Sequence, residues 1–422
     1  MVIMDGREDV MSNVELKKSL CFGCHSNCGV LVTVEDGKAT KIEGDPQCPI
    51  NQGKVCERVG FQLEWLDHPK RLNYPLKRIG ARGSGKWQQI TWDQACKEIG
   101  AELRRLADEY GPETVVFSHG TGRSDEWYIS RFFNQYGSPN VAMGGAEMCW
   151  CPTYSIESAT FGQFGATSTA PNTQCVVFWG RNPAQCGDFP EHWGYSQLFA
   201  NNPDAKIIVV DPRCTEYAAR ADIWLRLRPG TDGALALGFI HVMLRDGLYD
   251  KDFVEKWTHG FDELSGYVQE FTPERVEEIT WVPAAKLEEA VRIICENAPA
   301  TLVSSSAGAC HATNVGNFQR AVYSIIALTG DLDVAGGLAM GPGLPFDYSA
   351  STAAFRLEDM YAEKGLQDIR YDKDDFPVWA HYFKMIQTAH LPELVADGKI
   401  RAGVLLGVDS MMRPQTPEYQ RA

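Results

Sequence analysis

Short apolar runs rich in β-branched residues alternate along the chain with longer segments that carry helical spacing. Ala205 to Val210 (AKIIVV) is an apolar run bounded by Asn-Pro-Asp before it and Asp211-Pro212-Arg213 after it. That pattern reads as a buried parallel strand ending at a ligand edge. Cys175 to Trp179 (CVVFW), before Gly180-Arg181-Asn182-Pro183, repeats it, and Thr114–Phe117 and Thr301–Val303 are shorter versions. Between them, Trp92–Tyr110, Pro283–Asn297 and Asn317–Leu328 read as helices. Ala234–Leu244 is the most apolar stretch, but it contains His241 and falls well short of the roughly 20 residues that span a bilayer, so it reads as a buried helix. Near the N-terminus VLVTVEDGKATKIEG alternates like a hairpin turning at Asp36-Gly37. Strands alternating with helices predict an α/β fold, with open sheets wrapped by helices.

Length and charge narrow the class. The 422 residues suit about three domains. A composition of 44% hydrophobic and 23% charged residues excludes disorder and coiled coil for the whole chain. Forty basic residues against fifty-five acidic ones leave a net charge of -15, the wrong sign for a nucleic-acid binder. The first twenty residues carry neither an apolar export segment nor a twin-arginine pair, so a cytoplasmic location is expected, with Met11 an alternative start.

Thirteen cysteines change the picture, because five of them precede residue 57. Crowding of this kind in a long chain points to metal ligation rather than disulfides. Cys21, Cys24, Cys28 and Cys56 read C-x2-C-x3-C-x27-C, three thiols from one tight loop and a fourth from a distance. Four soft ligands suit tetrahedral zinc or a [4Fe-4S] cluster. A zinc knuckle usually pairs C-x2-C with a second C-x2-C, and the three-residue gap before Cys28 is more typical of a cubane. Cys48 reads as a structural or exposed thiol.

The segments CFGCHSNCGVLVTVEDGKATKIEGDPQCPINQGKVCERVG and HPKRLNYPLKRIGARGSGKWQQITWDQA resemble the N-terminus of the molybdopterin oxidoreductases of the dimethyl-sulfoxide-reductase type. GSPNVAMGGAEMCWCPTY, VVFWGRNP, KIIVVDPRCTEYAARADIWLRLRPGTDGALALG and ALTGDLDVAGG extend the resemblance over nearly the whole chain. It implies a [4Fe-4S] cluster on Cys21, Cys24, Cys28 and Cys56, and molybdenum or tungsten held by bis-molybdopterin guanine dinucleotide. A basic residue two positions after the fourth cysteine bridges cluster and pterin in the family; here it is Arg58, where many relatives carry lysine. Family members place the protein ligand to the metal three residues before a proline, which maps onto Cys149 in Cys149-Trp150-Cys151-Pro152, with Cys151 the competitor. Trp150 stands where formate dehydrogenases carry a histidine, and His25 where hydratases of the acetylene-hydratase type carry a catalytic aspartate. By the same resemblance Asn182, Asp211, Arg213, Thr215, Gly230 and Asp232 line the guanine dinucleotide, and Arg123, in the loop after Thr114–Phe117, reaches pterin or phosphate. Cys310, His311 and Asn314 fall in a small-residue loop of the kind relatives use near substrate.

The implied architecture is a small iron-sulfur domain (1–68), a discontinuous αβα domain (69–148 with 301–422) and a second, dinucleotide-binding αβα domain (149–300), both Rossmann-like. The family's C-terminal β-barrel has no counterpart in the sequence. A catalytic subunit for two-electron redox on a small substrate is the first expectation, partnered by an iron-sulfur subunit; the missing barrel is expected either on a separate chain or in a longer protein of which this sequence is a truncated product. A net non-redox hydratase or dehydroxylase is the second, and an electron-transfer subunit without the metal the third.

Overall fold

The structure is a computed structural model and describes residues 13–408, apart from residues 25, 121–125, 144–150, 163–165, 168–169, 186–188, 305–307, 310 and 341–356. The chain forms two compact units, residues 1–99 with 185–193, and residues 100–184 with 194–422.

The first unit begins with an antiparallel meander of β1 (Val14–Leu20), β2 (Gly29–Glu35) and β3 (Lys38–Gly44). The β2–β3 turn is Asp36-Gly37, both at positive φ (50° and 82°). A two-residue hairpin of the kind that matches strand twist requires this, which is why Asp-Gly stands there. Helix α1 (Arg58–Leu66) follows, then the short hairpin β4 (Leu76–Arg78) and β5 (Trp87–Gln89). Every residue of β1 is exposed.

In the second unit α2 (Trp92–Tyr110), which starts in the first, leads to β6 (Val115–His119), α3 (Glu126–Tyr136) and β7 (Val141–Met143). β6 lies between β7 and the last strand of the fold in a three-stranded parallel sheet. Phe117 and Val141 face Leu106 of α2 and Phe133 of α3, while Val116 and Ala142 face Ile386, Leu391 and Leu394. One αβα sandwich is therefore assembled from distant parts of the chain.

Next come α4 (Cys151–Phe161), β8 (Ala166–Thr167), β9 (Cys175–Trp179), α5 (Phe189–Asn201), β10 (Lys206–Val210) and β11 (Ile223–Leu225). Five helices follow: α6 (Asp232–Arg245), α7 (Lys251–Trp257), α8 (Phe261–Tyr267), α9 (Pro273–Thr280) and α10 (Ala284–Glu296). β12 (Ala300–Ser304), α11 (Val315–Thr329) and β13 (Leu338–Ala339) come next, then the short helices α12 (Glu358–Glu363), α13 (Pro377–Tyr382) and α14 (Leu391–Ala396), and β14 (Ala402–Leu406) is the last described strand, with β13 paired to β8 and β14 to β6.

The main sheet runs β11-β10-β9-β12, all parallel. Val177, Trp179, Ile208 and Val210 face α6, α10 and α11, and Val176, Phe178 and Val209 face Tyr195 and Leu198 of α5. Burial on both faces explains the unbroken apolar runs, each such side chain contributing about 1.5–3 kcal/mol. β12 pairs with β9 from Ala300 to Ser304, so the boundary expected at residue 300 falls inside this sheet. The buried helix expected over Ala234–Leu244 starts two residues earlier, which places Asp232 in its first turn. Among the described residues no helix is long and apolar enough to cross a membrane.

Candidate cofactor site

The cysteine loop is built by strand pairing. Leu20 and Gly29 are the last partners of β1 and β2, so Cys21, Cys24 and Cys28 occupy the connection between them. Its neck is closed by the Cys21 amide donating to the Cys28 carbonyl at 2.9 Å. The Gly23 amide donates to the Cys21 sulfur at 3.5 Å, and a Cβ at Gly23 would lie 3.5 Å from that sulfur and 3.1 Å from Gln62. Glycine there keeps the loop interior free for sulfur.

Cys56 is delivered by the turn after β3, which Asn51 ties down. Asn51 is fully buried; its side chain accepts from the Gly29 amide at 2.9 Å and donates to the Gly29 and Lys54 carbonyls at 3.1 and 2.8 Å. Burial, followed by the neighbouring thiols of Cys24, Cys21 and Cys56, pushes Cys28 up to about 11. The four sulfurs are thus near enough to act on one another. Four thiols brought together in this way are the donor set that a [4Fe-4S] cluster takes. Cys48 has other surroundings: a Cβ at Gly29 would lie 2.8 Å from its sulfur, and the Asn51 and Ile50 amides hold its thiol below the usual range. Arg58 opens α1 and donates to the Gln185 carbonyl at 3.2 Å.

In the second unit the expected nucleotide residues gather at the carboxyl ends of β9 and β10, the edge where ligands of open α/β sheets bind. Asp211 follows β10; its Oδ1 accepts from the Arg213 amide at 2.8 Å, and its carbonyl accepts from the Trp224 indole at 2.8 Å. The Arg213 guanidinium is exposed, with Nε 3.8 Å from the same Oδ1. Asn182 is 7% exposed; its Nδ2 donates to Glu216 at 2.7 Å, while its buried Oδ1 has no partner among the described residues. A buried acceptor left empty asks for a ligand donor. Thr215 has a local task, its hydroxyl accepting from the Ala218 amide at 3.1 Å.

Gly230 and Asp232 line a cavity of about 760 Å³ with Arg228, His259, Asn314 and Arg320. Gly230 has φ 84° and nothing within 4 Å of the Cβ it lacks, so its backbone is open to close approach. The Trp179 indole donates to Asp232 Oδ1 at 3.0 Å. Burial raises Asp232 above the usual carboxylate range, the indole bond works against that, and the charge of Asp211 adds to it. His311 is exposed and not among the lining residues, although Ala312, Thr313 and Asn314 are. His25, Arg123, Cys149, Trp150 and Cys310 lie outside the described residues.

Asn51, Trp179 and Glu216 carry this geometry but were not singled out in the sequence. Each acts through one hydrogen bond or a few across 22 to 53 positions, and no local motif announces such bonds.

Comparison with known proteins places this arrangement. Residues 14–68 match the molybdopterin oxidoreductase Fe4S4 domain, and residues 71–391 match molybdopterin oxidoreductase. The chain belongs to the molybdopterin oxidoreductase family, whose cofactors are a [4Fe-4S] cluster and molybdopterin carrying molybdenum or tungsten. The molybdopterin-containing subunit of thiosulfate reductase from Salmonella typhimurium is 31% identical over 324 residues, covering 76% of this chain and 42% of that protein. Acetylene hydratase from Syntrophotalea acetylenica is 36% identical over 295 residues, covering 68% of this chain and 39% of that protein. The structure of acetylene hydratase from Pelobacter acetylenicus superposes with a TM-score of 0.82 at 28% identity, covering 94% of this chain and 57% of that one. The chain thus spans about two fifths of the length of these curated relatives.

Proposed function

We propose that this chain is the cofactor-binding part of a molybdenum- or tungsten-dependent oxidoreductase acting on a small substrate. The observation that carries the reading is the pairing, in one chain, of a four-thiol loop that fits a cubane with a sheet edge holding an unpartnered Asn182 acceptor and Asp232 on a cavity wall. When bound, the metal supplies two-electron redox and the cluster carries electrons singly. Cys21, Cys24, Cys28 and Cys56 hold the cluster, and Cys149 is the metal's protein ligand. Arg58 offers a permanent cation next to the fourth cysteine, offsetting the negative charge of a thiolate-ligated cluster. Asn182 accepts from, and Asp232 orients, the first dinucleotide, with Asp211, Arg213, Thr215 and Gly230 shaping the edge; Arg123 contacts pterin or phosphate. The small substrate and the iron-sulfur electron partner belong to the same proposal.

A hydratase is the second reading, favoured by the likeness to acetylene hydratase. His25 then handles the proton and Trp150 helps to shape the pocket. Anaerobic purification followed by metal analysis and turnover separates the readings. About four irons with molybdenum or tungsten, and turnover that demands an electron acceptor or donor, supports the oxidoreductase. Hydration of acetylene with oxygen from water and no electron flow supports the hydratase. Iron without either heavier metal assigns the chain to electron transfer alone.

A further inference from the structure

We propose that Trp179 is a positioning residue for nucleotide recognition: its indole N–H holds one oxygen of Asp232 from behind, so that the carboxylate meets a ligand edge with two adjacent N–H donors, the guanine edge. This deepens the dinucleotide reading above and rests on it.

Trp179 is the last residue of β9, opposite Val210 of β10 and Ser304 of β12. It is fully buried, wedged by Phe239 of α6 with ring centres 5.6 Å apart and by Phe318 of α11 at 5.8 Å. Such a ring has little freedom to turn, and its single polar atom is a donor without acceptor capacity. That donor is spent on Asp232 Oδ1 at 3.0 Å. Asp232 stands on the cavity wall, while Trp179 is not among the lining residues. The indole therefore holds the carboxylate from a residue outside the cavity lining, the Asp232 and Gly230 amides hold it as well, and Asp232 itself stands on the wall that a ligand would meet.

An indole donor favours the ionised carboxylate, opposing burial and the nearby charge of Asp211. An ionised, fixed carboxylate accepts two parallel N–H bonds well. Guanine presents N1–H beside its 2-amino group; hypoxanthine keeps the first and lacks the second, and adenine turns an acceptor at N1 toward the carboxylate. The indole thus sets both the charge and the direction on which discrimination depends.

The test is calorimetric titration of the full, cofactor-free chain with GDP, IDP and ADP, in wild type and in Trp179→Phe, with iron content and Tm recorded for each. Wild type is expected to prefer GDP over IDP by about ten-fold or more, the worth of one bond to a charged group. Trp179→Phe is expected to shrink that ratio to about three-fold or less. An unchanged ratio in the variant, or a uniform fall in affinity for all three nucleotides, overturns the proposal and makes Trp179 a packing residue. Absence of any GDP preference over ADP in wild type overturns the dinucleotide reading itself. If Trp179→Phe fails to fold, benzothienylalanine at 179 keeps the ring shape without the donor, and the same ratio decides.

Discussion

The cysteine loop and the nucleotide edge are held by opposite means. The loop connects two strands of a three-stranded meander whose first strand is exposed at every residue. The edge terminates a parallel sheet in which Val176, Val177, Ile208 and Val209 are all fully buried. On the proposed reading, order in the first unit comes from the group that the thiols hold and from a few polar ties, whereas in the second it is supplied by apolar packing. A metal centre can be assembled on a slight scaffold because ligation itself contributes folding energy. A dinucleotide, held by many weaker contacts, needs its donors and acceptors already in place.

The strongest way to break the contrast is to remove one ligand. Cys28→Ala is expected to abolish iron retention and to lower hydrogen-exchange protection across residues 13–66 by more than about ten-fold, while protection of β9 and β10 stays as in wild type. Equal loss in both units would show that the sheet also depends on the cluster. The reverse experiment is Ile208→Ala, at a fully buried position between β9 and β11. Loss of a packed Ile side chain costs about 2–5 kcal/mol. Urea unfolding followed by the signal of the second unit is expected to shift by that much, with iron per chain unchanged.

What could be read beforehand follows the same division. The runs at 175–179 and 205–210 announced buried strands because both faces of that sheet are covered, and Asp36-Gly37 announced its hairpin because few other pairs tolerate positive φ twice. The spacing of Cys21, Cys24 and Cys28 announced one tight loop, and the strand pairing puts all three in the β1–β2 connection. Asn51 and Trp179 were not, because each acts through side-chain bonds to residues 22 and 53 positions away. Nor was the membership of β12 in the main sheet, since an apolar run of five residues fits either of two parallel sheets and only pairing chooses between them. Asn182 was found as a position; that its oxygen is left unpartnered while its nitrogen is tied to Glu216 is visible only in three dimensions.

A smaller effect sharpens the comparison on the polar side. Asn51 satisfies the amide and carbonyl of Gly29 and the carbonyl of Lys54. Asn51→Ala leaves these groups unpaired, at about 1 kcal/mol or more for each that water does not reach. Faster iron loss to a chelator is expected, several-fold over wild type, with the GDP preference untouched. An unchanged rate of loss would assign the loop's order to the cluster alone.

The last test separates the units by pH. Asp331, in the ALTGDLDVAGG segment, is 3% exposed with Oδ2 lacking a partner, and burial pushes its carboxyl up to about 6, against bonds from Thr329 and the Ala300 amide and with help from Asp250. Its pKa is higher folded than unfolded, so between about pH 4 and pH 6 the native state holds a proton that the unfolded chain has released. Stability of the second unit therefore falls as pH rises through that window, by at most about 3 kcal/mol across it, and is level above it with respect to this group. Thiolate ligation in the first unit runs the other way, since acid protonates the ligands and releases the cluster. Asp331→Asn is expected to flatten the slope between pH 4 and pH 6 whatever its constant offset, leaving the acid release of iron as in wild type. Thermal unfolding and iron release measured on the same samples across that range test both arms. If the variant keeps the wild-type slope, the buried carboxyl is not its source.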